Sequence, residues 1–504
     1  MRHTRKTLLA MASLLALGAC SQAPQPAEAD ASRHLGTLKF QPCTLEAPFA
    51  GGNLEAQCTT LKVAENPQAP EGRQIALNIA WLPAKEEGAA TDDPVFFLAG
   101  GPGQAATEHA VTIDMALQDV RRQRNVILVD QRGTGKSNPL ECADDASEEK
   151  GVEEIDAMSE DAILADVRRC VDTLSKQADL RFYTTTDAVR DLDAVRAAIG
   201  APTINLIGVS YGTRVAQQYA ATYPKHTRSL VLDGVAPNSL VVGGEFARRF
   251  DEALALQSKA CAASDACRQR FATDLRTRLV ILKQRLAASP VEVVYRDPAT
   301  GEEKQEKLTS GTVTSLTHAF SYMPATMSLL PLVLDEADRG RYGPLMSLAR
   351  FMDGQVSGQM ARGMQASVIC AEDADRYQAG AGDADTVMGD DLVRLFFTPC
   401  KVWPKGARPA AFTQPLVSSV PALLMSGELD PVTPPAYGEA VLKGLGKGRH
   451  FVLRGQGHNV IAQGCMPKLV GQFIESTDAK ALDAKCLDAI QGTPAFTSFN
   501  GWEP

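Results

Sequence analysis

The chain has 504 residues, 44% of them hydrophobic, which is enough apolar material for a sizeable core and excludes a disordered polypeptide. Its formal net charge is −9, and the first 19 residues, which hold Arg2, Arg5 and Lys6, leave an even more acidic remainder. Without basic blocks, such a chain argues against nucleic acid as a partner. The length suits about two to four average domains, or one large α/β core carrying an insertion.

The chain begins as a targeting segment. Arg2, Arg5 and Lys6 precede an apolar run, residues 8–17, too short to span a bilayer as a permanent helix. Leu17-Gly18-Ala19-Cys20 resembles a bacterial lipobox, which implies a signal peptide over 1–19 and lipidation of Cys20. The alternative is ordinary signal cleavage beside an incidental cysteine. Ser21 in place of Asp implies transport to an outer membrane, facing the periplasm, with the cell surface as the other option. Residues 20–35, rich in Ala, Pro and Gln at their start, read as a solvated tether.

Of the 11 cysteines, setting Cys20 aside leaves an even number, as expected of an oxidising compartment. Short loops close at the lowest entropy cost, so the expected pairs are sequence neighbours. Cys43 is expected to bond Cys58, Cys142 to bond Cys170, and Cys261 to bond Cys267. Cys370 is expected to bond Cys400, and Cys465 to bond Cys486. None of these has C-x-x-C spacing, and neither a metal nor a cofactor is expected.

From residue 36 the pattern alternates. Leu61-Lys62-Val63 and Ile75 through Trp81 read as strands around a Pro- and Gly-containing turn. Val95-Phe96-Phe97-Leu98 reads as a strand buried on both faces and runs into Ala99-Gly100-Gly101-Pro102-Gly103. Val126-Ile127-Leu128-Val129 runs into Asp130-Gln131-Arg132-Gly133. Helical spacing follows over 163–174 and 187–199, then a strand over 204–209, a helix over 213–223 and a strand at Leu230-Val231-Leu232. This rhythm predicts a mostly parallel sheet flanked by helices over 36–237, resumed over 416–504. Residues 238–415 interrupt it as a mainly helical insertion, with one hairpin turning at 297–301.

Chemistry gathers at Gly208-Val209-Ser210-Tyr211-Gly212, a Gly-x-Ser-x-Gly between strand and helix. There a sharp turn would lift the serine hydroxyl above the sheet. A serine is a weak nucleophile and needs a base and an orienter. Of the 7 histidines, His458 lies just past a late strand, in Gly455-Gln456-Gly457-His458. Asp430 lies past the preceding strand, with Glu428 as its rival. The order Ser, Asp, His is that of an α/β-hydrolase triad. The backbone N–H groups of Tyr211 and Gly101 are the expected oxyanion donors, since Pro102 has none. Gly101-Pro102-Gly103-Gln104-Ala105-Ala106 also fits a dinucleotide fingerprint, but a weak one that an exported chain disfavours. Gly135-Lys136-Ser137 lacks the first glycine of a phosphate loop.

Taken together, Gly100-Gly101-Pro102-Gly103, Asp130-Gln131-Arg132-Gly133-Thr134-Gly135-Lys136-Ser137, the Ser210 motif and Gly427-Glu428-Leu429-Asp430-Pro431-Val432-Thr433-Pro434 resemble the exported α/β-hydrolase peptidases of the prolyl and tripeptidyl aminopeptidase group. The C-terminal part, 421–486, resembles a tripeptidyl aminopeptidase module. Ala99 departs from the His found in many relatives. The resemblance implies an α/β-hydrolase fold with a cap, and a serine aminopeptidase acting on short peptides with a free N-terminus. An esterase or lipase with the same triad is the alternative, and a non-catalytic binding lipoprotein the third reading. It also implies an acidic anchor for the substrate amino group, with Glu372 the first candidate and Asp373 the second. Gln131 and Arg132 are expected to brace the oxyanion loop.

Overall fold

The computed structural model describes residues 32–46, 52–86, 88, 90–142, 159–356 (353–356 as backbone only), 360–378, 380 and 383–501. The signal segment and Cys20 lie outside the described residues. Arg33–Leu35, expected within the tether, instead form strand β1, paired antiparallel with β2, Leu38–Glu46, and residues 20–31 lie outside the described residues.

One ten-stranded sheet organises the molecule. Its first strands are β1, β2, β3 (Asn53–Ala64), β4 (Gln74–Leu82), β5 (Val95–Leu98), β6 (Val126–Val129), β7 (Ile204–Val209) and β8 (Thr227–Asp233). Strands β9 (Val291–Arg296) and β10 (Glu303–Leu308) form a separate antiparallel hairpin. The main sheet then resumes with β11 (Ala422–Gly427) and β12 (Gly448–Leu453). Its spatial order is β1-β2-β3-β4-β6-β5-β7-β8-β11-β12. From β6 to β12 all neighbours in this order are parallel, while β1 to β4 form an antiparallel limb that joins β6 antiparallel. The sheet is therefore more mixed than the strand–helix rhythm implied.

Successive strand residues point to opposite faces. Phe96, Leu98, Leu206, Leu230 and Leu232 pack into one apolar cluster, and Val95, Phe97, Ile207, Val209 and Val231 into another. Both faces are covered by helices, which explains the unbroken apolar runs of β5 to β8. The Thr185–Ala198 and Tyr211–Thr222 helices cover the first face, and Ala110–Ala116 and Met466–Ser476 the second.

The insertion is not one body. Phe250, Leu279, Val293, Leu316, Leu334 and Met346 belong to a third apolar cluster, which includes the β9–β10 hairpin. By contrast, Met364, Val368, Ile369, Cys400 and Trp403 pack into the first face of the main core. Ala361 to Cys370 and Cys400 to Leu416 thus belong to the sheet layer, while Val387, Met388 and Leu392 between them pack into the cap cluster, so the separate cap ends before Cys400 and not at residue 415.

All five expected disulfides are formed, with the neighbour pairing that loop entropy favours. Cys43 bonds Cys58 and ties β2 to β3, while Cys142 bonds Cys170. In the cap, Cys261 bonds Cys267. Cys370 bonds Cys400 within the sheet layer, and Cys465 bonds Cys486 near the C-terminus.

Candidate active site

β7 ends at Val209, and Ser210 takes φ 56° and ψ −124°, a conformation that a non-glycine residue rarely adopts. Its N–H donates to the Asp233 carbonyl at 2.8 Å, and its carbonyl accepts from Thr213 N–H at 2.9 Å. The flanking glycines permit this turn. A Cβ on Gly212 would lie 2.7 Å from the Ala99 carbonyl oxygen, and one on Gly208 would lie 2.7 Å from the Gly212 carbonyl carbon. A Cβ on Gly100 would stand 3.1 Å from Ser210 Cβ, so the loop after β5 runs directly beside the serine.

Asp430 and His458 follow β11 and β12 and meet. His458 Nδ1 is 2.7 Å from Asp430 Oδ2, and both side chains are buried. With Nδ1–H donating to the carboxylate, Nε2 is left with a lone pair to accept a proton. The other carboxylate oxygen accepts from Val432 N–H at 2.9 Å and Thr433 N–H at 2.8 Å. Thr433 Oγ1 donates to Oδ2 at 2.8 Å and lies 3.1 Å from His458 Nδ1. Burial opposes the Asp430 charge, but His458 and these donors outweigh it and hold the carboxyl below its ordinary range. Burial likewise opposes the imidazolium, yet the Asp430 charge raises the His458 pKa above its ordinary value.

The serine and the histidine flank the same two residues. Ser210 bonds the carbonyl of Asp233, and a Cβ on Gly234 would lie 3.0 Å from His458 Cε1. The Asp233 carboxyl is fully buried and accepts from Val460 N–H and Ile461 N–H, which pins the histidine loop. Burial pushes it up to about 6 against those donors. Glu428 takes a different role from Asp430, as its Oε2 accepts from Gly455 N–H at 2.8 Å and braces the loop that leads to His458.

Of the expected oxyanion donors, Tyr211 directly follows Ser210 and Gly101 directly follows Gly100, which stands beside the serine. Tyr211 opens the following helix, and Gly101, at φ 103°, precedes a cis bond to Pro102. The insertion holds this loop down. Ala361 N–H donates to the Gly103 carbonyl at 3.0 Å, and a Cβ on Gly101 would lie 3.0 Å from Met360 Sδ. The brace expected of Arg132 comes from Asp130 instead. Asp130, at the end of β6 beside β5, accepts from Thr107 N–H and Thr107 Oγ1 at 2.9 Å, and from Asn78 Nδ2 at 2.8 Å. Arg132 points the other way, to a two-pronged pair with Asp191 at 2.7 Å and to the carbonyls of Glu65 and Phe182. Gln131 is buried, and its Oε1 has no partner among the described residues.

Glu372 and Asp373 end the Arg362–Glu372 helix and are both fully buried. Glu372 Oε1 accepts from Thr185 N–H at 2.7 Å and Oε2 from Thr185 Oγ1 at 2.8 Å; Thr185 Oγ1 is 2.6 Å from Tyr211 Oη. Asp373 pairs with the buried Arg214 at 2.9 Å and with Arg376. An incoming ammonium would have to displace Thr185 or Arg214 to reach either carboxyl. The geometry therefore gives them a supporting place under the elbow, not the substrate-anchoring one expected. Burial, with the nearby Asp373 charge and against Arg214, pushes Glu372 up to about 8.

Sequence reading assigned no site role to four contributors. Asp233 and Asp130 each close an apolar strand, and a charge in that position is a readable signal. Thr433 lies in Asp430-Pro431-Val432-Thr433, three residues past the acid, where its hydroxyl folds back onto the carboxylate. Tyr322 carried no signal. It comes from the cap, its carbonyl accepts the His458 N–H at 2.8 Å, and its ring stands edge-on to the imidazole at 5.3 Å. Gly457 is required by this approach, because a Cβ there would strike the Tyr322 carbonyl.

A family model described as alpha/beta hydrolase fold matches residues 93–464. The chain is 26% identical over 492 residues to serine protease Hip1 of Mycobacterium tuberculosis, covering 89% of this chain and 91% of that one. It is 26% identical over 190 residues to the tripeptidyl aminopeptidase of Streptomyces lividans, covering 36% and 35% of the two chains. The solved proline iminopeptidase of Mycobacterium smegmatis superposes with a TM-score of 0.37 at 15% identity, over 84% of this chain and 100% of that one.

Proposed function

Because the chain belongs to the alpha/beta hydrolase family, we propose that it is a serine peptidase in which Ser210, His458 and Asp430 carry out acyl transfer on short peptides. The observation that carries this reading is the buried Asp430–His458 bond at 2.7 Å, set beside a serine at φ 56°. The Ser210 hydroxyl attacks the scissile carbonyl carbon while His458 Nε2 takes its proton. The tetrahedral oxyanion is held by the N–H groups of Tyr211 and Gly101. Collapse breaks the C–N bond, His458 returns the proton to the leaving amine, and an acyl-serine remains. Water then attacks the acyl carbon, with His458 again as base, and frees Ser210.

Release from a free N-terminus is the finer part of the proposal. It is supported by likeness to an aminopeptidase and by an insertion that comes down on both sides of Ser210, at Gly103 and at His458. Such a site favours a chain end over the middle of a long polypeptide. We also place the protein outside the cytoplasm, held to a membrane by a lipid on Cys20. The five formed disulfides support an oxidising compartment, and Cys20→Ala together with labelled-palmitate incorporation tests the anchor.

The decisive experiment compares Ser210→Ala with the native protein on free and N-blocked peptide anilides and simple esters, alongside fluorophosphonate labelling. The native protein is expected to be labelled and to prefer free peptides, and Ser210→Ala to lose both labelling and turnover while staying folded. Equal cleavage of blocked peptides and esters would turn the reading into an esterase. Absence of labelling would turn it into a binding protein.

A further inference from the structure

The Ser310–Ser321 helix of the cap carries Ser315 and His318 on the face that leads to Tyr322, since residues three and seven apart share a side of a helix. That face is turned toward the catalytic histidine. The Tyr322 ring stands edge-on to His318 at 5.2 Å and edge-on to His458 at 5.3 Å, so a single aromatic ring separates the two imidazoles. The Tyr322 carbonyl fixes the arrangement by accepting the His458 N–H.

Four other hydroxyls on this helix have internal partners. Thr314 and Thr317 donate to the carbonyls four residues back, Ser321 to the His318 carbonyl, and Thr312 closes a capping box with Thr309. Ser315 Oγ and His318 Nε2 are different. Both atoms are shielded from solvent and have no hydrogen-bond partner among the described residues. A buried polar atom left unpaired costs about 1–3 kcal/mol. Two on the helix face that leads to Tyr322, one of them a ring's width from His458, leave room for a partner that the described residues do not supply.

We propose that Ser315 and His318 form a polar subsite of the cap that hydrogen-bonds a main-chain amide of the substrate peptide, two to three residues from the scissile bond. This rests on the peptidase reading above and adds a chain-length requirement to it. The spacing follows from reach: a peptide extends about 3.3–3.6 Å per residue, and one ring's width from His458 therefore corresponds to a second or third residue. The partner is an uncharged amide. Burial pushes the His318 imidazole down to about 4, so at neutral pH it carries no charge to attract an anion. A neutral imidazole nitrogen and a hydroxyl together can accept an amide N–H or donate to an amide C=O.

The test uses the full chain and two p-nitrophenyl esters of equal backbone length, glycylglycylglycyl and nonanoyl, which differ in amide groups and in the terminal ammonium. His318→Phe keeps the ring against Tyr322 and removes the nitrogen, and Ser315→Ala removes the hydroxyl. Each is expected to lower the triglycyl-to-nonanoyl ratio of kcat/KM about tenfold, the worth of one hydrogen bond. His318→Gln, which restores an amide near Nε2, is expected to recover part of the ratio. Melting temperature is expected to hold or rise, since an unpaired buried atom has been removed. Equal losses on both esters, an unchanged ratio, or a lowered melting temperature would overturn the subsite. Failure of the peptidase reading is seen separately: the native protein would then hydrolyse the triglycyl ester but no peptide anilide, while the ratio still reports on Ser315 and His318.

Discussion

Asp233 holds Val460 by both carboxylate oxygens, the Val460 N–H donating at 2.9 and 2.8 Å, and through that contact the end of β8 fixes the loop that carries His458. The same residue offers its carbonyl to the Ser210 N–H. One aspartate thus references both reacting partners to a single strand end. Asp233→Ala leaves the Val460 and Ile461 N–H groups without their acceptor, at about 1–3 kcal/mol for each unpaired buried donor. The expected result is a lower melting temperature together with a fall in kcat. A lower melting temperature with unchanged kcat would show that the histidine loop keeps its place unaided.

Thr433 contributes a hydroxyl to the Asp430 carboxylate, and Thr433→Val removes it while keeping a β-branched shape. A hydrogen bond to a charged group is worth about 1.5–3 kcal/mol, so kcat/KM should fall by at least about tenfold. The loss should lie in kcat, since Thr433 orients the acid and base. A change in KM alone would place Thr433 in substrate binding instead.

The raised His458 pKa sets two opposite pH dependences. Catalysis needs the neutral imidazole, so kcat/KM should rise with pH through an inflection above the ordinary histidine value of about 6.5. The ion pair with Asp430 needs the charged form. Its stabilisation is complete below the unfolded histidine value and is lost as pH rises through the raised folded one. Turnover should therefore increase over the window in which thermal stability declines. Asp430→Asn removes the counter-charge, and the remaining activity should show its inflection at lower pH.

Glu372, pushed up to about 8, is uncharged at neutral pH. A carboxyl whose folded pKa exceeds its unfolded one holds its proton more tightly when folded, so the protein should lose stability as pH rises toward and through about 8. Glu372→Gln keeps a group that can accept from Thr185 N–H and donate to Thr185 Oγ1. It should decline less than the native protein between about pH 4.5 and about 8, and the two should run parallel above that. Free-amine and ester substrates should be affected alike. A selective loss of free-amine substrates would restore Glu372 as the ammonium partner.

Much of this arrangement was legible in the sequence because it is local or periodic. The Ser210 turn is written in five consecutive residues, and Asp430 and His458 each follow a recognisable apolar strand. Cysteines close in sequence, such as Cys261 and Cys267, pair because short loops are easily closed. What escaped notice depends on contacts between distant parts of the chain. Arg132 reaches Asp191 and Asp233 reaches Val460 across separations of 59 and 227 residues, and no period reports such a meeting. The division of the insertion was hidden for a related reason. Helices of the cap and helices of the sheet layer show the same amphipathic spacing, which does not say which apolar surface they will meet.

The two places where the insertion reaches the centre, Ala361 N–H to the Gly103 carbonyl and the Tyr322 carbonyl to the His458 N–H, are both main-chain bonds. Main-chain groups are supplied by nearly every residue type, so these clamps depend on the path of the chain and hardly on its composition. Side chains nearby are then free to diverge while the geometry around Ser210 persists. Removing the insertion, in contrast, would take away both clamps at once.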